Sequence, residues 1–512
     1  MKGVLVSMMA VGLLRTVAET SDYKSTSRYD DVIAFVRAVQ KSDPEIRVET
    51  FATTTEGRAL PLVIVGSGRV KPVVFIMANI HAGEVEGKEA ALMLLRDLIT
   101  THRKLRKRMT ILIAPIYNAD GNEQISTTHR TTQVGPINGV GIRENAEGLD
   151  LNRDYMKLES PEARGLVHNV LNKWDPLVTI DLHTTNGSYH GYQLTYSPPL
   201  NPNADSRIIG FERDTLLPEI RERMKKRHGK ETYYYGNFVD QLKPEKGWYT
   251  FDNRPRFGNN YAGLRNRFAI LSEAYSYIDF RARVEVTYQF LHEILGAIDR
   301  HASKMTRIAA AADEKRPTSL GVRFAVKPWK KDVPILWERA TEALPGEGIE
   351  NPETGSGANI VRGGVIVPVK MTDFGIFEAT EKSDVPYAFV IDKRAKNVIE
   401  NLLTHGITVE QLNEPQDVRV QEFVVKSAKR SDKEFQKHHE LTIEGSWKNR
   451  SDTLEAGTYI VRTDQPLGRL ACYLLDPRSD DGLFDWNFFG DTSIARIMKP
   501  AGLDASVVSA VE

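Results

Sequence analysis

Continuous apolar runs that end in polar residues recur along the first part of the chain. Val73 to Ala78, Met109 to Ile116, Leu177 to Leu182 and Phe268 to Leu271 are such runs. They are typical of strands that are buried on both faces of a parallel sheet. Because open α/β sheets bind ligands at the carboxyl ends of their strands, the polar residues after these runs are candidates for a site along one sheet edge.

Helical periodicity occupies the stretches between these runs. Tyr29 to Val39, Ala90 to Leu98 and Arg281 to Ile298 place their apolar residues on one helix face. Arg47 to Thr53 and Leu60 to Val65 have the pattern of a β-hairpin. The chain is therefore predicted to be an α/β protein, with a mixed, mostly parallel central sheet flanked by helices.

The hydrophobic pattern changes near residue 315. Alanines and charged residues from Arg307 to Lys315 indicate a linker. Short alternating segments follow, with one helix from Ala395 to Leu403 that stops before Gly406. We predict two domains, residues 22–305 and residues 316–512, of which the second is β-rich, sandwich-like and of unknown role.

Composition narrows the function classes. Lys plus Arg and Asp plus Glu both number 68, so no net charge favours nucleic acid as a partner. The basic cluster from His102 to Arg108 follows a predicted helix and is interpreted as solvated surface. Cys472 is the only cysteine, which excludes a disulfide framework and a cysteine-rich metal site. Any metal must be held by histidines and carboxylates.

The N-terminus indicates export. Met1-Lys2 precedes an apolar run from Val4 to Leu14, and Ala18 is a small residue at a possible cleavage point. Residues 1–18 are therefore predicted to be a signal peptide of a secreted or periplasmic protein. The run is shorter than the roughly 20 residues that cross a bilayer, so no stable membrane insertion is expected. A buried N-terminal helix is the alternative.

Four side chains at the predicted strand ends suggest metal chemistry. His81 and Glu84 follow the first apolar run, His183 follows the third, and Glu273 ends the fourth. An imidazole and a carboxylate three positions apart can bind one cation, and catalytic zinc sites with two histidines and a glutamate need one more histidine from elsewhere in the chain. Taken alone, the spacing of His81 and Glu84 favours a structural interpretation over metal binding: a hydrogen-bonded strand-end histidine and an acid at a helix N-terminus.

The order of five motifs resembles the zinc carboxypeptidases of the carboxypeptidase A and B type. The matching stretches, within about residues 45–300, are HAGE (His81 to Glu84), PIYNADGN (Pro115 to Asn122), GLDLNRDY (Gly148 to Tyr155), DLHTTNG (Asp181 to Gly187) and FAILSEAY (Phe268 to Tyr275). The resemblance implies a zinc metallocarboxypeptidase domain over residues 22–305. Its substrates would be the C-termini of peptides or proteins.

The same resemblance implies roles for individual residues. His81, Glu84 and His183 would bind one zinc ion per chain, and Glu273 would act as general base and then as acid. Asn152 and Arg153 would hold the terminal carboxylate of the substrate. Asp150 would orient the first zinc histidine.

Further residues are less determined by the motifs. Arg130 would stabilise the developing oxyanion, with Arg143 as the competitor for that role. Tyr249 has the spacing of the family's mobile tyrosine, whereas Tyr261 has the more motif-like context. Gly83 stands where many digestive members have an arginine. Side-chain preference and oligomeric state are left open by the sequence.

Two other functions remain in competition. A zinc deacylase of the aspartoacylase or succinylglutamate desuccinylase type shares the fold and a similar ligand set, and would cleave small N-acyl amino acids. A non-catalytic peptide-binding protein would keep the pocket without turnover. The long loop from Asn122 to Gly148 and the Asn152-Arg153 pair favour the peptidase over the deacylase, and the presence of Glu273 disfavours the binding protein.

Overall fold

The computed structural model describes residues 14–68, 71–342, 360–499 and 505–511. Most of the predicted signal peptide, residues 1–13, lies outside the described residues. Its last residues are described: Thr16 caps a short helix, α1 (Val17–Thr20), in which Ala18 is buried. Export of the protein stays a prediction.

An eight-stranded sheet forms the centre of the first 300 residues, in the order β1-β2-β4-β3-β5-β10-β6-β7. The pairs β3–β4, β3–β5 and β5–β10 are parallel, and β1–β2 is the predicted antiparallel hairpin. The strands are β1 (Arg47–Thr53), β2 (Ala59–Val65), β3 (Val73–Ala78), β4 (Thr110–Ala114), β5 (Val178–Thr185), β6 (Leu194–Ser197), β7 (Thr232–Tyr234) and β10 (Phe268–Tyr275). The predicted mixed, mostly parallel sheet is confirmed.

Helices cover the central sheet, as the periodicity predicted. They are α2 (Tyr29–Ser42), α3 (Glu86–Ile99), α4 (Leu105–Arg108), α5 (Ala119–Glu123), α6 (Pro161–Leu166), α7 (Ser206–Phe211), α8 (Leu217–His228), α9 (Gly258–Leu264) and α10 (Phe280–Asp313). Short π-helical turns, Val167–Asn172 and Glu212–Leu216, extend α6 and α7. Ser160 caps α6 and Pro161 opens it. Within the described ranges, no helix combines the length and the hydropathy that crossing a bilayer requires.

The predicted linker is wrong. Helix α10 continues through Arg307 to Asp313, and its residues Met305, Ala309 and Ala312 are buried. These positions recur at helical spacing, so the alanines form the packed face of the last turns and the charged residues lie on the outer face.

The C-terminal region is β-rich, as predicted, but much of it lies in longer strands than the sequence indicated. A two-stranded sheet pairs β11 (Ser319–Lys327) with β14 (Ile376–Asp384). The hairpin β12 (Lys330–Glu342) and β13 (Ile360–Phe374) joins two short strands of the first region, β9 (Trp248–Tyr249) and β8 (Asn237–Phe238). Backbone pairing thus connects the two predicted domains.

A seven-stranded sheet completes this region, in the order β18-β17-β20-β15-β19-β16-β21. Its strands are β15 (Ala388–Ile391), β16 (Glu410–Leu412), β17 (Gln416–Arg430), β18 (Leu441–Leu454), β19 (Tyr459–Arg462), β20 (Ile494–Ile497) and β21 (Val508–Ala510). Two helices accompany it, α11 (Lys396–His405) and α12 (Gly468–Leu475). Helix α11 ends at Gly406, whose φ of 85° places it in the left-handed conformation that closes many helices.

Candidate metal centre and active site

The predicted metal ligands converge at the carboxyl ends of β3 and β5. The Glu84 carboxylate lies between the two imidazoles, with Oε1 2.9 Å from Nδ1 of His81 and Oε2 3.0 Å from Nδ1 of His183. The donor atoms of the three residues all lie within 4.8 Å of one another. All three side chains are buried. Two imidazole nitrogens and one carboxylate around a common point fit a zinc ion, which prefers this ligand set in catalytic sites.

A carboxylate lies beside the outer nitrogen of each histidine. Nε2 of His81 is hydrogen-bonded to Oδ1 of Asp150 at 3.0 Å, whereas Nε2 of His183 lies 3.0 Å from Oδ2 of Asp181 in an ion-pair contact. With a metal ion bound, a carboxylate on the outer nitrogen would leave Nδ1 available to the ion. The negative charge of Asp181, against the cost of burial, raises the pKa of His183 well above its ordinary value in the metal-free chain.

Glu273 lies beside this group. It pairs in register with His183 on the neighbouring parallel strand and lines the same cavity of about 540 Å³ as His81, Glu84 and His183. Burial, followed by the negative charges of Glu84 and Asp181, raises the pKa of Glu273 to about 8. This direction holds for the chain without a bound metal ion, and the position of Glu273 beside the triad suits a group that exchanges a proton there.

Arg130 also lies in the cavity, in the long loop before Gly148. Its guanidinium Nη2 is 2.9 Å from Oε1 of Glu84. A Cβ at Gly83 would lie 2.8 Å from Nε of Arg130 and 2.9 Å from the carbonyl oxygen of Gly141. Gly83 therefore leaves the space that the Arg130 side chain fills.

Arg143 is positioned through Asp150. Its Nε and Nη2 donate to Oδ2 of Asp150 at 3.0 and 2.8 Å, and Nη1 is 3.4 Å from Nδ1 of His81. Arg143 therefore neutralises the carboxylate that orients His81. Of the two candidate arginines, Arg130 makes the closer approach to Glu84, since Arg143 Nη1 lies 4.0 Å from that carboxylate.

Asn152 and Arg153 line the same cavity. The Asn152 side-chain oxygen accepts the backbone N–H of Gly258 at 3.0 Å, which fixes the start of α9. The Arg153 guanidinium stacks 3.9 Å above the Phe257 ring. A guanidinium held in this way presents a planar fork to a carboxylate.

Neither predicted tyrosine lines the cavity. Tyr261 is fully buried, and its hydroxyl is 2.7 Å from Nδ1 of His405 in the C-terminal region. Tyr249 belongs to β9 and stacks on Phe374 with ring centroids 4.1 Å apart. Backbone pairing with β13 turns it to this packing role, which the local sequence did not reveal.

Four further residues line the cavity although no sequence motif predicted them. Tyr235, Phe251, Phe435 and Gln436 all line it. Burial and the charge of Glu273 raise the pKa of the Tyr235 hydroxyl to about 12. The role of Asp181 did have a signal, because residues two apart on a strand share one face.

A second group of metal-type donors lies elsewhere. Donor atoms of Asp97, His102 and His292 are within 4.8 Å of one another, and the two imidazole rings are 4.3 Å apart. In the sequence, His102 has no ligand-like spacing to a partner, so a structural or surface role was predicted for it. These side chains are partly exposed, and Asp97 accepts a short hydrogen bond from Tyr288.

Comparison with known proteins finds related sequences. A family profile described as zinc carboxypeptidase matches residues 32–290. The human carboxypeptidase N catalytic chain is 25% identical over 259 residues, which are 44% of this chain and 55% of that protein. Carboxypeptidase 2 of Trichophyton rubrum is 25% identical over 169 residues, 31% of this chain and 28% of that protein.

A solved structure is similar as well. The metallo-carboxypeptidase from Burkholderia cenocepacia is 20% identical, with a TM-score of 0.41, and the alignment covers 53% of this chain and 69% of that one. The chain thus spans about half the length of the human carboxypeptidase N catalytic chain and a larger share of the bacterial structure.

Proposed function

The chain belongs to the zinc carboxypeptidase family, and from this premise we propose that it is a metallocarboxypeptidase that hydrolyses the C-terminal peptide bond of peptides. One observation carries the proposal: the metal-type triad His81, Glu84 and His183 shares its cavity with the carboxyl group of Glu273 and the guanidinium of Arg153. These groups match the three requirements of the reaction, which are a metal site, a proton carrier and an anchor for a terminal carboxylate.

Each side chain has a part in this reaction. Arg153 binds the terminal carboxylate and thereby fixes which peptide bond faces the triad. When bound, zinc supplies a Lewis acid that polarises the scissile carbonyl and makes water more acidic. Glu273 takes a proton from the attacking water and delivers it to the leaving amine, a transfer that contributes roughly 10²- to 10⁴-fold. Arg130 donates to the negative charge that develops on the carbonyl oxygen.

A substrate comparison tests this function. The zinc-loaded protein is incubated in parallel with unmodified peptides, the same peptides with an amidated C-terminus, and N-acyl amino acids. We expect release of the last residue from unmodified peptides only, because amidation removes the carboxylate that Arg153 binds. Preferential hydrolysis of N-acyl amino acids would favour the deacylase instead, and binding of peptides without any turnover would favour the binding protein.

A further inference from the structure

The C-terminal region contributes a wall to the active-site cavity. Phe435 and Gln436 lie between β17 and β18 and line the cavity that contains Glu273 and Arg153. Both residues are far beyond residue 290, where the family match ends. The wall is therefore an addition of this chain to the shared catalytic framework.

Phe435 and Gln436 belong to a tight turn whose two central residues, Gln436 and Lys437, have an uncommon conformation. The backbone N–H of Phe435 donates to the His438 carbonyl at 2.7 Å, and the reverse bond is 3.0 Å long. Between them, Gln436 and Lys437 have φ values of 51° and 63°. Turns with two positive φ values normally carry Asn-Gly or Asp-Gly. Side chains that persist in this conformation are held by their surroundings, and such residues cluster at functional sites.

Contacts with the segment that carries Asn152 and Arg153 hold the turn. The backbone N–H of Asp150 donates to Oε1 of Gln436 at 2.9 Å. Nε2 of His438 lies 2.8 Å from Oε1 of Glu159. With Oε1 engaged in this way, no described residue accepts a hydrogen bond from Nε2 of Gln436, so a residue that lines the cavity keeps a donor group.

A buried ion-pair network centred on Arg256 packs against the Phe435 ring. Arg256 is 1% exposed; its Nε donates to Oδ1 of Asp481 at 2.8 Å and its Nη2 to Oε1 of Glu440 at 2.7 Å. The guanidinium also lies 4.5 Å from the Trp486 ring and 5.3 Å from the Phe435 ring. Phe435 is thus packed against Arg256, whose neighbour in the sequence, Phe257, lines the same cavity.

We propose that the Phe435–Gln436 turn bounds the subsite for the terminal residue of the substrate and so determines which residues are released. This inference rests on the proposed function. The Phe435 ring limits the size of the terminal side chain, and the Gln436 amide donates to an oxygen of the bound peptide near Arg153. The turn leaves the metal triad itself unchanged.

Three variants of the full-length protein separate these roles. Phe435→Ala removes the ring, Gln436→Ala removes the amide, and Lys437→Ala is the matched control. Lys437 has a similarly positive φ in the same turn, but its side chain is 53% exposed and lies 3.7 Å from Glu147. Where Phe435→Ala loses its cooperative thermal transition, Phe435→Leu takes its place.

The measurement is kcat and KM on peptides that differ only in a terminal Ala, Leu, Glu or Trp, with zinc content determined on each sample. For Phe435→Ala we expect the kcat/KM ratio of Trp to Ala peptides to rise about tenfold or more. For Gln436→Ala we expect KM to rise about 2- to 10-fold, the loss of one hydrogen bond, with kcat unchanged. Lys437→Ala and zinc content should match the wild type.

Unchanged ratios and KM values in both variants of an active enzyme would overturn the inference. So would a loss of zinc in Gln436→Ala, because the turn would then act through Asp150 on the metal site. Peptide Kd values in the Glu273→Gln background keep the test independent of turnover. If the wild type cleaves no peptide while Gln436→Ala still raises the peptide Kd, the proposed function is wrong but the role of the turn in peptide binding is supported. An unchanged Kd would show that the turn does not bind the peptide.

Discussion

Asp150 and Asp181 each lie beside one imidazole of the metal-type triad, the first in a hydrogen bond and the second in an ion-pair contact. Each carboxylate lies 3.0 Å from the outer nitrogen of one histidine. They differ in their other partners, since Asp150 also binds Arg143 and the backbone of Asn152. Asp181 is therefore the cleaner position at which to measure what an outer carboxylate contributes to metal affinity.

Asp181→Asn should weaken zinc binding about 10- to 100-fold, because it removes the charge that orients and polarises His183. Chelator competition measures the affinity, and KM at saturating zinc should stay within about twofold of the wild type. Asp240→Asn, which removes a carboxylate paired with the exposed Lys246, is the control for the loss of one acidic charge. Equal zinc affinity in Asp181→Asn and wild type would refute this role.

Glu212 provides a test of buried charge outside the site. It is fully buried in the π-helical turn after α7, and burial raises the pKa of its carboxyl group well above the usual range. The folded state therefore keeps a proton that the unfolded state loses above about pH 4.3. The free energy of unfolding must then decrease as pH rises from about 4.3 towards the raised pKa.

Glu212→Gln should remove this dependence. We expect the melting temperature of the variant, relative to wild type, to increase steadily between pH 5 and pH 8 when both are zinc-loaded. The difference in the free energy of unfolding between variant and wild type should change by at most about 1.4 kcal/mol per pH unit, which is the value for one proton. Glu45→Gln, whose side chain is 73% exposed, controls for a surface charge. A melting difference that stays constant across this range would contradict a protonated Glu212.

Individual residues were predictable from the sequence where chemistry and strand ends coincide. His81, Glu84, His183 and Glu273 follow apolar runs directly, so the topology of a parallel sheet brings them to one edge. Tyr235 and Gln436 reach the same cavity from segments without such a pattern. Their positions depend on tertiary contacts between distant segments, which local periodicity does not encode.

Close packing of α3 on β5 connects the fold to the metal site. A Cβ at Gly87 would lie 2.6 Å from Cβ of Leu182, the residue before His183. The absence of a side chain allows the helix to approach the strand. Gly296 in α10 is the opposite case, since its Cβ would meet only Nη1 of Arg300 at 3.4 Å.

Alanine at these two helical glycines should therefore have opposite effects. Gly87→Ala should destabilise the protein by about 1–3 kcal/mol through overpacking and weaken zinc binding through the displacement of Leu182. Gly296→Ala should stabilise it by up to about 1 kcal/mol, the difference in helix propensity. Thermal unfolding and chelator competition measure both. A Gly87→Ala protein as stable as Gly296→Ala would show that the α3–β5 contact is not tight.

Periodicity predicted elements well where one pattern dominated. The central strands, the first hairpin and the end of α11 at Gly406 agree with expectation. The failure at Arg307 to Asp313 has a physical cause: alanine buries little area, so an alanine face does not resemble a hydrophobic stripe even when it is packed. Alanine is also the strongest helix former, and this propensity could have predicted that the helix continues.

Among the described residues, one hydrophobic cluster extends across the predicted domain boundary and includes residues from Val32 to Ile494. Helix α11 adds polar contacts between the two regions. His405 contacts the hydroxyl of Tyr261. The Asn401 side chain donates to the carbonyls of Met156 and Lys157 at 3.1 and 2.8 Å. The sequence correctly predicted that the chain becomes β-rich after about residue 315. It could not show that the two parts pack as a unit, because the contacting residues are more than 140 positions apart.

A truncated protein that ends at residue 315 should consequently fail to fold. Removal of the C-terminal region would expose Tyr261 and the apolar surface around it, and would leave β9 without its partner β13. We expect a fragment without a cooperative thermal transition and with at least tenfold faster proteolysis than the full chain. A monomeric fragment that melts cooperatively and binds zinc would establish residues 22–305 as an independent domain instead.

The turnover of Glu273→Gln, measured together with its zinc content, separates metal binding from catalysis. Glutamine keeps the size of the side chain but cannot carry the proton, whereas His81, Glu84 and His183 remain intact. We expect the variant to retain the zinc content of the wild type while kcat for release of the C-terminal residue falls at least about 100-fold. A zinc-loaded Glu273→Gln protein with wild-type kcat would contradict the role of Glu273 and the proposed mechanism with it.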